Sequence, residues 1–427
     1  MQRLNDGRST TGWLRRAILP VMALALSGCA TLRATVGSYA TGPGGISRPQ
    51  QRLRETLSQG DYSAALAWRE DDALLNALTN GITRYYGGLY ALSGAVLDSA
   101  ALLADDRITT SLSKGALSLA TNDMALAYQP RRTERLFIPY YGMLAYARLG
   151  AWEDAAVEAR RLSLLLAQYG EDRDGAERVL HAALHRLSGV VFERAGNRGE
   201  AEIAYRNAHA LATALPDTLT ARDSTAGELV VLVERGFVAY RASESIRIDM
   251  GDGDDEHRLS IAYAALRRSA RVAGGAVHLL AADTIVSVEL SATVDDASAA
   301  DERRERVAAT ARALARATAK YAMTKAIRDN KGWAAGKLAE AGANFLERAD
   351  VRSWHLLPQE IALLRTRVPS GLRPVRLRVG SGDDACVIDL GIIDVPAGQI
   401  ALVPVRLWRD PSQGSPSAAA SIASVAK

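Results

Sequence analysis

The chain has 427 residues, 48% of them hydrophobic and 23% charged, a balance that suits two or three globular domains and excludes an intrinsically disordered protein. The pI is near 9.0, but residues 1–28 hold four arginines and one aspartate, and without them the formal charge of +4 falls by three to +1. A charge so close to neutral gives no case for a nucleic-acid partner, and two cysteines exclude a disulfide framework.

The first predicted element is a secretory signal. An apolar run over residues 17–26 follows the paired charges Arg15 and Arg16. Such a run is too short to span a bilayer, and the small residues after it suit a cleavage site. We therefore expect residues 1–28 to be a signal peptide and the mature chain to begin at Cys29.

The tetrapeptide Leu26-Ser27-Gly28-Cys29 resembles the lipobox of bacterial lipoproteins. The resemblance implies that Cys29 is lipidated and that its acyl chains, at about 0.8 kcal/mol per buried CH2 group, anchor the chain in a membrane. An aspartate directly after the lipidated cysteine tends to retain such proteins on the inner membrane. This chain has Ala30 at that position, so the expected location is the outer membrane, facing the periplasm. The alternative is an ordinary signal whose cleavage site happens to contain a cysteine.

Residues 29–48 are rich in small residues and lack periodicity, so we expect a lipidated tether there. Residues 49–216 are predicted to form a helical domain, because helix-turn-helix patterns surround Gly60, Gly150 and Gly196. The stretch Gly189–Ala208 resembles a tetratricopeptide (TPR) hairpin, in which small residues let two helices approach closely. The turns do not follow the family's period of roughly 34 residues, so TPR-like hairpins with an irregular helical insert are expected.

A longer set of motifs extends this resemblance over most of the mature chain. Its members are Tyr128, Glu134-Arg135, Tyr140-Tyr141, Tyr146, Gly150, Val157-Glu158-Ala159-Arg160-Arg161, Arg352-Ser353-Trp354 and Leu357-Pro358. Together they are similar to an uncharacterised family of bacterial outer-membrane lipoproteins with a TPR-like helical N-terminal half. The resemblance implies a β-containing C-terminal half and partners among the proteins of the cell envelope.

The composition shifts after Pro216, where β-branched and apolar runs predict a smaller α+β domain over residues 217–409. Strands are predicted at residues 227–236, 245–250, 284–290, 373–379, 386–395 and 400–408. The last three are expected to form an antiparallel meander, one face of a small sandwich. Helices are predicted at residues 300–328 and, after Pro358, at 359–367, and the tail 410–427 is expected to be disordered. The predicted fold class is α+β, a TPR-like hairpin domain followed by a sandwich-like sheet domain with packed helices.

Candidate partner-binding residues lie in the helical half. TPR-like concave surfaces bind peptides with charged residues beside aromatic ones, and the sequence offers this combination at Glu134, Tyr140, Tyr141, Tyr146, Glu158, Arg160 and Arg161. Ion pairing between neighbouring helices is the alternative role of the charged members.

No pattern predicts a catalytic residue, a metal site or a cofactor. His181 and His185 have the i, i+4 spacing of metal ligands, with Glu177 on the same face, but nothing completes a site and a solvated helix face is the expectation. An acidic segment over residues 249–256 does not fit an EF-hand. Trp354 is expected to be a core anchor, with a partner-facing position as the minority interpretation.

The sequence therefore predicts a non-catalytic scaffold, anchored in the membrane through Cys29, that positions envelope proteins through a helical groove. A second interpretation is a lipoprotein that binds or hydrolyses cell-wall glycan or peptide, which a cluster of carboxylates in a shared cleft would favour. A third is a subunit of a homo-oligomeric envelope assembly.

Overall fold

The computed structural model describes residues 33–37, 46–114, 127–170, 175–216, 225–250, 257–269, 275–281, 284–338, 349–381, 385–411 and 420–422. The chain is 52% helical and 24% strand, with helices in the N-terminal half and sheets in the C-terminal half. This confirms the predicted α+β class. The expected signal peptide, Cys29, most of the acidic segment and most of the C-terminal tail lie outside the described residues.

The helices of the N-terminal half form antiparallel pairs. Glycines with positive φ end the first helix of three pairs, with φ of 78° at Gly60, 72° at Gly150 and 86° at Gly196, as the sequence predicts. The described helices are α1 (Arg48–Ser58), α2 (Tyr62–Ala65), α3 (Ala73–Tyr86), α4 (Tyr90–Lys114), α5 (Arg132–Arg148), α6 (Trp152–Gln168), α7 (Gly175–Arg194), α8 (Arg198–Leu211) and α9 (Val294–Lys331).

The helices α7 and α8 pack closely against each other. A Cβ atom at Gly189 of α7 would lie 2.3 Å from the ring of Tyr205 on α8. Ala201 and Ala208 of α8 are fully buried. Only glycine at position 189 leaves room for the tyrosine, so the two helix axes can approach closely.

The strands form three sheets. They are β1 (Arg33–Gly37), β2 (Ala226–Arg235), β3 (Tyr240–Met250), β4 (His257–Arg267), β5 (Val277–Ala281), β6 (Thr284–Ser287), β7 (Leu290–Thr293), β8 (Glu360–Pro369), β9 (Gly371–Val379), β10 (Cys386–Val395), β11 (Ile400–Leu407) and β12 (Ala420–Ile422). Their orders are β1-β3-β4, β10-β9-β5-β6 and β12-β11-β2-β8-β7.

The four-stranded and five-stranded sheets pack face to face. Leu229, Val231 and Val233 of β2 belong to one hydrophobic cluster with Val375 and Leu377 of β9. This is the expected sandwich, but the predicted meander is wrong in its third strand. The strand β11 leaves β10 and pairs with β2 in parallel, in the other sheet.

Two further predictions of strands and helices need correction. The predicted helix 359–367 is wrong, because this segment is the strand β8, which pairs antiparallel with β2. Four consecutive residues of β8, Ile361 to Leu364, are buried, so the run is apolar on both faces as in a central strand. The predicted strand 284–290 is two strands, β6 and β7, which belong to different sheets.

One hydrophobic core runs from the helices to the five-stranded sheet. Leu144 of α5 and Val191 of α7 share a cluster with Leu232 of β2 and with Trp354 and Trp408. Trp354 is fully buried, which confirms it as a core anchor. The core therefore continues across residue 216, where the sequence analysis places a domain boundary.

The chain divides into two compact units. The smaller comprises residues 1–38, 245–262 and 313–347 and contains β1, which lies within the expected tether and pairs antiparallel with β3. The larger unit comprises residues 39–244, 263–312 and 348–427 and contains the helices α1 to α8 and the two packed sheets. All sites described below lie in the larger unit.

Candidate functional site

A groove of about 300 Å³ lies on the helical half, with walls from α4 and α6 and a floor from α5. We call it the α4–α6 groove. Its lining residues are Ala101, Leu102, Ala104, Asp105, Arg135, Ile138, Pro139, Arg161, Leu164, Leu165 and Gln168. The walls are mostly apolar, and the volume is at the lower end of ligand-binding clefts.

Two leucines stand on opposite walls of the groove and face solvent. Leu102 of α4 is 70% exposed and Leu164 of α6 is 71% exposed. Neighbouring positions on the same helices, such as Leu97 and Leu162, are buried in the core. Single exposed leucines are ordinary, but two that flank one apolar groove make it a candidate binding surface.

The floor contains a proline inside a helix. Pro139 lies within α5 and has no N–H to bond the carbonyl group of Arg135, four residues earlier. The proline ring adds apolar surface at the centre of the floor. Ile138, which is buried, continues this apolar floor.

Ion pairs close both ends of the groove. At one end Arg135 donates to the carboxylate of Asp105 at 2.7 Å and to the hydroxyl of Tyr169 at 2.5 Å. At the other end Arg161 donates to Asp98 at 3.0 Å and to Glu158 at 2.6 Å. The groove is about two helical turns long, since its lining on α6 runs from Arg161 to Gln168, about 10.5 Å at 1.5 Å per residue.

The Asp98 end contains two carboxyl groups in contact. The hydroxyl of Tyr146 donates to Asp98 at 2.7 Å, and burial together with a hydrogen bond to the nearby Asp98 raises the pKa of Glu158 to about 7 against the opposing effect of Arg161. Two glycines make room for the cluster. A Cβ at Gly142 would lie 3.1 Å from Glu158, and one at Gly94 would lie 3.0 Å from Tyr146.

Three of the seven predicted partner-binding residues meet in this cluster. Tyr146 of α5 and Glu158 and Arg161 of α6 come together around Asp98, and Arg161 also lines the groove. Arg160 points elsewhere, since it forms two hydrogen bonds of 2.7 Å with Glu200 of α8. The partner-binding role of these four residues stays a prediction.

The other three predicted residues, Glu134, Tyr140 and Tyr141, lie inside the fold and outside the groove, and their partner-binding role also stays a prediction. Tyr140 and Tyr141 are fully buried and donate to Glu234 of β2 at 3.0 and 2.8 Å. Glu134 is 7% exposed and accepts hydrogen bonds from the backbone N–H groups of Arg131 and Trp354. Each of them satisfies polar groups at the junction between helices and sheet.

The prediction that the histidines of α7 lie on a solvated helix face also needs correction. His181 and His185 are 2% and 6% exposed and Glu177 is 4% exposed, so this is not a solvated face. The helix is enclosed by its neighbours, and Glu177 pairs with Arg304 of α9 at 2.5 Å. Among the described residues, no group of three His, Cys, Asp or Glu side chains is arranged to hold a metal ion.

No sequence pattern indicated Leu102, Leu164, Asp98 or Asp105 as site residues, and Arg135 was named only within the Glu134-Arg135 motif. Their helices were predicted, but an exposed leucine and a buried one look alike until the neighbouring helix is placed. The only sequence signal is that Leu102 and Leu164 each stand beside another leucine, so one of each pair must leave the buried stripe of its helix.

No helix in the part of the chain that the structure describes is long and apolar enough to cross a membrane. Comparisons of the chain with protein-family models, with curated proteins and with solved structures found no match.

Proposed function

We propose that the chain is a non-catalytic scaffold that binds envelope proteins through the α4–α6 groove. A lipid on Cys29 would anchor this scaffold in the outer membrane, facing the periplasm. The groove carries this proposal. Its two exposed leucines, Leu102 and Leu164, stand on either side of an apolar floor. No side chain of the described residues fills the space between the two leucines.

The groove suits an amphipathic helix of a partner protein. A helix lays residues at i, i+3, i+4 and i+7 into a groove, and i to i+7 spans about 10.5 Å, the length of the groove along α6. At one end Arg161 is 44% exposed, and at the other the Asp105 side chain is 66% exposed. The partner helix would therefore carry an acidic residue near Arg161, bulky apolar residues in the middle and a basic residue near Asp105.

The lipid anchor rests on the lipobox pattern around Cys29. Confinement to a membrane surface raises the effective concentration of a partner on the same surface, so a groove of modest affinity would be sufficient for function. The absence of a catalytic role is part of the proposal.

The experiment is site-specific photocrosslinking in cells, with a photoreactive amino acid at position 164 and, as a matched control, at position 92. Leu92 lies on α4, is 56% exposed and is outside the groove. We expect one or a few envelope proteins to crosslink at 164 and not at 92. Leu102→Asp should remove these crosslinks and Leu92→Asp should retain them.

The anchor is tested separately with Cys29→Ala. This variant should leave the membrane fraction and lose its crosslinks in cells, while the purified protein still binds the identified partner. Crosslinks at 164 that join only copies of this chain would instead support a homo-oligomeric assembly. Equal crosslinking at 164 and 92 would refute the groove as the partner site.

A hydrolase of cell-wall glycan or peptide is the second candidate, because the carboxyl groups of Asp98 and Glu158 meet at the end of the groove and the pKa of Glu158 is raised to about 7 by burial. Such a pair can share a proton and act in acid and base catalysis. Arg161, however, donates to both carboxylates and so opposes the neutral form of Glu158 that an acid catalyst needs. Release of soluble fragments from purified cell wall by the wild type, lost in Asp98→Asn, would favour the hydrolase over the scaffold.

A further inference from the structure

A second groove, of about 330 Å³, lies along the edge of the five-stranded sheet. We call it the β11-edge groove. On one side it has the turn between α5 and α6, with Leu149 and Trp152, and on the other the end of β10, with Ile393 and Asp394. Its remaining lining residues are Ala147, Arg148, Gly150, Arg194, Pro396, Ile400, Ala401, Leu402, Val403 and Pro404. The bottom of the groove is thus the first half of β11.

Backbone groups of β11 that no described strand pairs with face this groove. The carbonyl groups of Gln399 and Leu407 accept from N–H groups of the β2 side, so by alternation the odd-numbered residues of β11 bond to β2 and the even-numbered ones face outward. Of these, Arg406 is paired with Ser421 of β12. The N–H and carbonyl groups of Leu402 have no strand opposite them in the described part of the chain, and Pro404 has no N–H to offer.

The same edge already accepts an antiparallel strand. The three residues of β12 pair with Val405 to Leu407 and leave Ile400 to Pro404 uncovered by any described strand. An uncovered strand edge is a template for pairing with another chain, and the groove lies along this edge beyond the last described residue of β12.

A half-buried arginine lies beside this edge. Arg194, at the end of α7, donates from Nε to the carbonyl oxygen of Ile400 at 3.1 Å, and its guanidinium lies over the ring of Trp152 at 4.8 Å. Among the described residues no ion pair joins Arg194 to a carboxylate, and Asp394 lies on the opposite side of the groove. Burial lowers the pKa of Arg194, which is the expected effect on a cation that lacks a counter-charge.

We propose that the β11-edge groove binds an extended segment of a partner protein, which pairs with the outward backbone groups of Leu402 and places an acidic side chain on Arg194. Strand addition supplies the affinity from backbone hydrogen bonds, and the apolar wall of Leu149 and Trp152 selects β-branched or other apolar side chains at alternate positions. The arginine fork selects a carboxylate between them.

This site is separate from the α4–α6 groove, and the inference does not depend on the function proposed for that groove. A groove for a helix and an edge for a strand would let the chain hold two partners at once. A failure at one site leaves the other intact, so Leu102→Asp serves as a control that should not affect the β11-edge groove.

The experiment selects ligands from a phage-displayed library of random eight-residue peptides on the full chain. We expect the enriched peptides to carry Asp or Glu at a fixed position between alternating apolar residues. Fluorescence anisotropy of a selected peptide should show binding weakened at least 10-fold by Arg194→Met. Arg198→Met, on the exposed first turn of α8 and outside the groove, should leave it unchanged.

Backbone methylation of the peptide separates strand addition from simple insertion of side chains. In an extended peptide, alternate amide N–H groups face β11 and the others face away from it. Methylation of the amide nitrogens that face β11 should abolish binding, and methylation of those that face away should have little effect. Equal effects of the two sets, or enrichment of purely apolar peptides that bind Arg194→Met normally, would overturn the proposal. Binding that appears only in a chain shortened to end at Ile422 would overturn it too, since the chain's own continuation would then be the occupant.

Discussion

At the scale of single residues, a buried carboxylate on β2 holds the helices to the sheet. Glu234 is fully buried and accepts hydrogen bonds from the hydroxyl groups of Tyr86 at 2.7 Å, Tyr140 at 3.0 Å and Tyr141 at 2.8 Å. Arg406, itself 1% exposed, lies over the ring of Trp408 at 4.4 Å in the same layer. The tyrosines come from two helices far from Glu234 in sequence, so no local pattern could indicate that they are buried donors.

We expect Tyr86→Phe to lower the free energy of unfolding by about 1.5–3 kcal/mol, the range for a hydrogen bond to a buried charge. Tyr86 is the donor to Oε2 of Glu234, while Tyr140 and Tyr141 both donate to Oε1. The phenylalanine keeps the ring packing and removes the hydroxyl, which also lies 3.0 Å from the hydroxyl of Tyr141. Urea unfolding measures the change, and Tyr263→Phe, which removes a bond to Glu244 in a more open site, should cost less. Equal losses in the two variants would contradict the role of burial.

Glu158 predicts a pH dependence of stability. Burial raises its pKa from 4.5 to about 7 in the folded chain, so the folded state favours the neutral carboxyl group. Its contribution is fully present below pH 4.5 and is lost as the pH rises through 7. Glu158→Gln keeps a neutral side chain at every pH, so relative to the wild type it should gain stability on the order of 2 kcal/mol between pH 5 and pH 8.

Thermal or urea unfolding at the two pH values measures this gain for Glu158→Gln. The folded structure should be kept, because glutamine can bond to Asp98 in place of the protonated carboxyl group. Parallel stability curves for variant and wild type from pH 5 to pH 8 would contradict the buried, proton-sharing arrangement with Asp98.

At the scale of elements, local chemistry predicted the helices of the N-terminal half well, and long-range pairing decided what it missed. Periodicity and the glycine turns located α1, α5, α6, α7 and α8. The strand β8 was predicted to be a helix, because a short apolar run after a proline has no periodicity that distinguishes the two. After β10 the chain crosses from the four-stranded to the five-stranded sheet, where β11 pairs in parallel with β2. No turn residue in the sequence indicates this change of sheet.

The same limit applies to the candidate site. The helices that carry the α4–α6 groove were predicted, and Arg161 was named, but Glu134, Tyr140 and Tyr141 were assigned to a surface because an aromatic beside a charge looks the same in a groove and in a core. Pairing partners distant in sequence, Glu234 for the tyrosines and Trp354 for Glu134, decide between the two.

Close packing of α7 against α8 predicts opposite effects for alanine at two helical glycines. Gly189→Ala would place a Cβ 2.3 Å from the ring of Tyr205, and overpacking of this kind costs about 1–3 kcal/mol. Gly199→Ala meets nothing within 4 Å and should stabilise the chain by about 0.4–1 kcal/mol through a less flexible unfolded state. Denaturant midpoints compare the two, and a stabilising Gly189→Ala would show that the helices are farther apart than described here.

At the scale of the whole molecule, the larger unit has a shared core and not two domain cores joined by a linker. Leu144 and Val191 from helices and Leu232 from β2 belong to one cluster with the two buried tryptophans. The Glu234 network crosses the same junction with charge-assisted hydrogen bonds. Elements that share a core lose their burial together, so the helices cannot open completely while the five-stranded sheet stays closed.

We therefore expect native-state hydrogen exchange, followed by mass spectrometry of peptides, to give the same largest opening free energy for α5, α7 and β2. Tyr86→Phe should lower all three by the same amount, because a residue at the junction weakens the shared core and not one element. If the helices kept their protection while only β2 lost it, the helical half would be an independent domain. The boundary predicted at residue 216 would then describe the energetics of the chain better than its shared core does, and the α4–α6 groove could be studied on the helical segment alone.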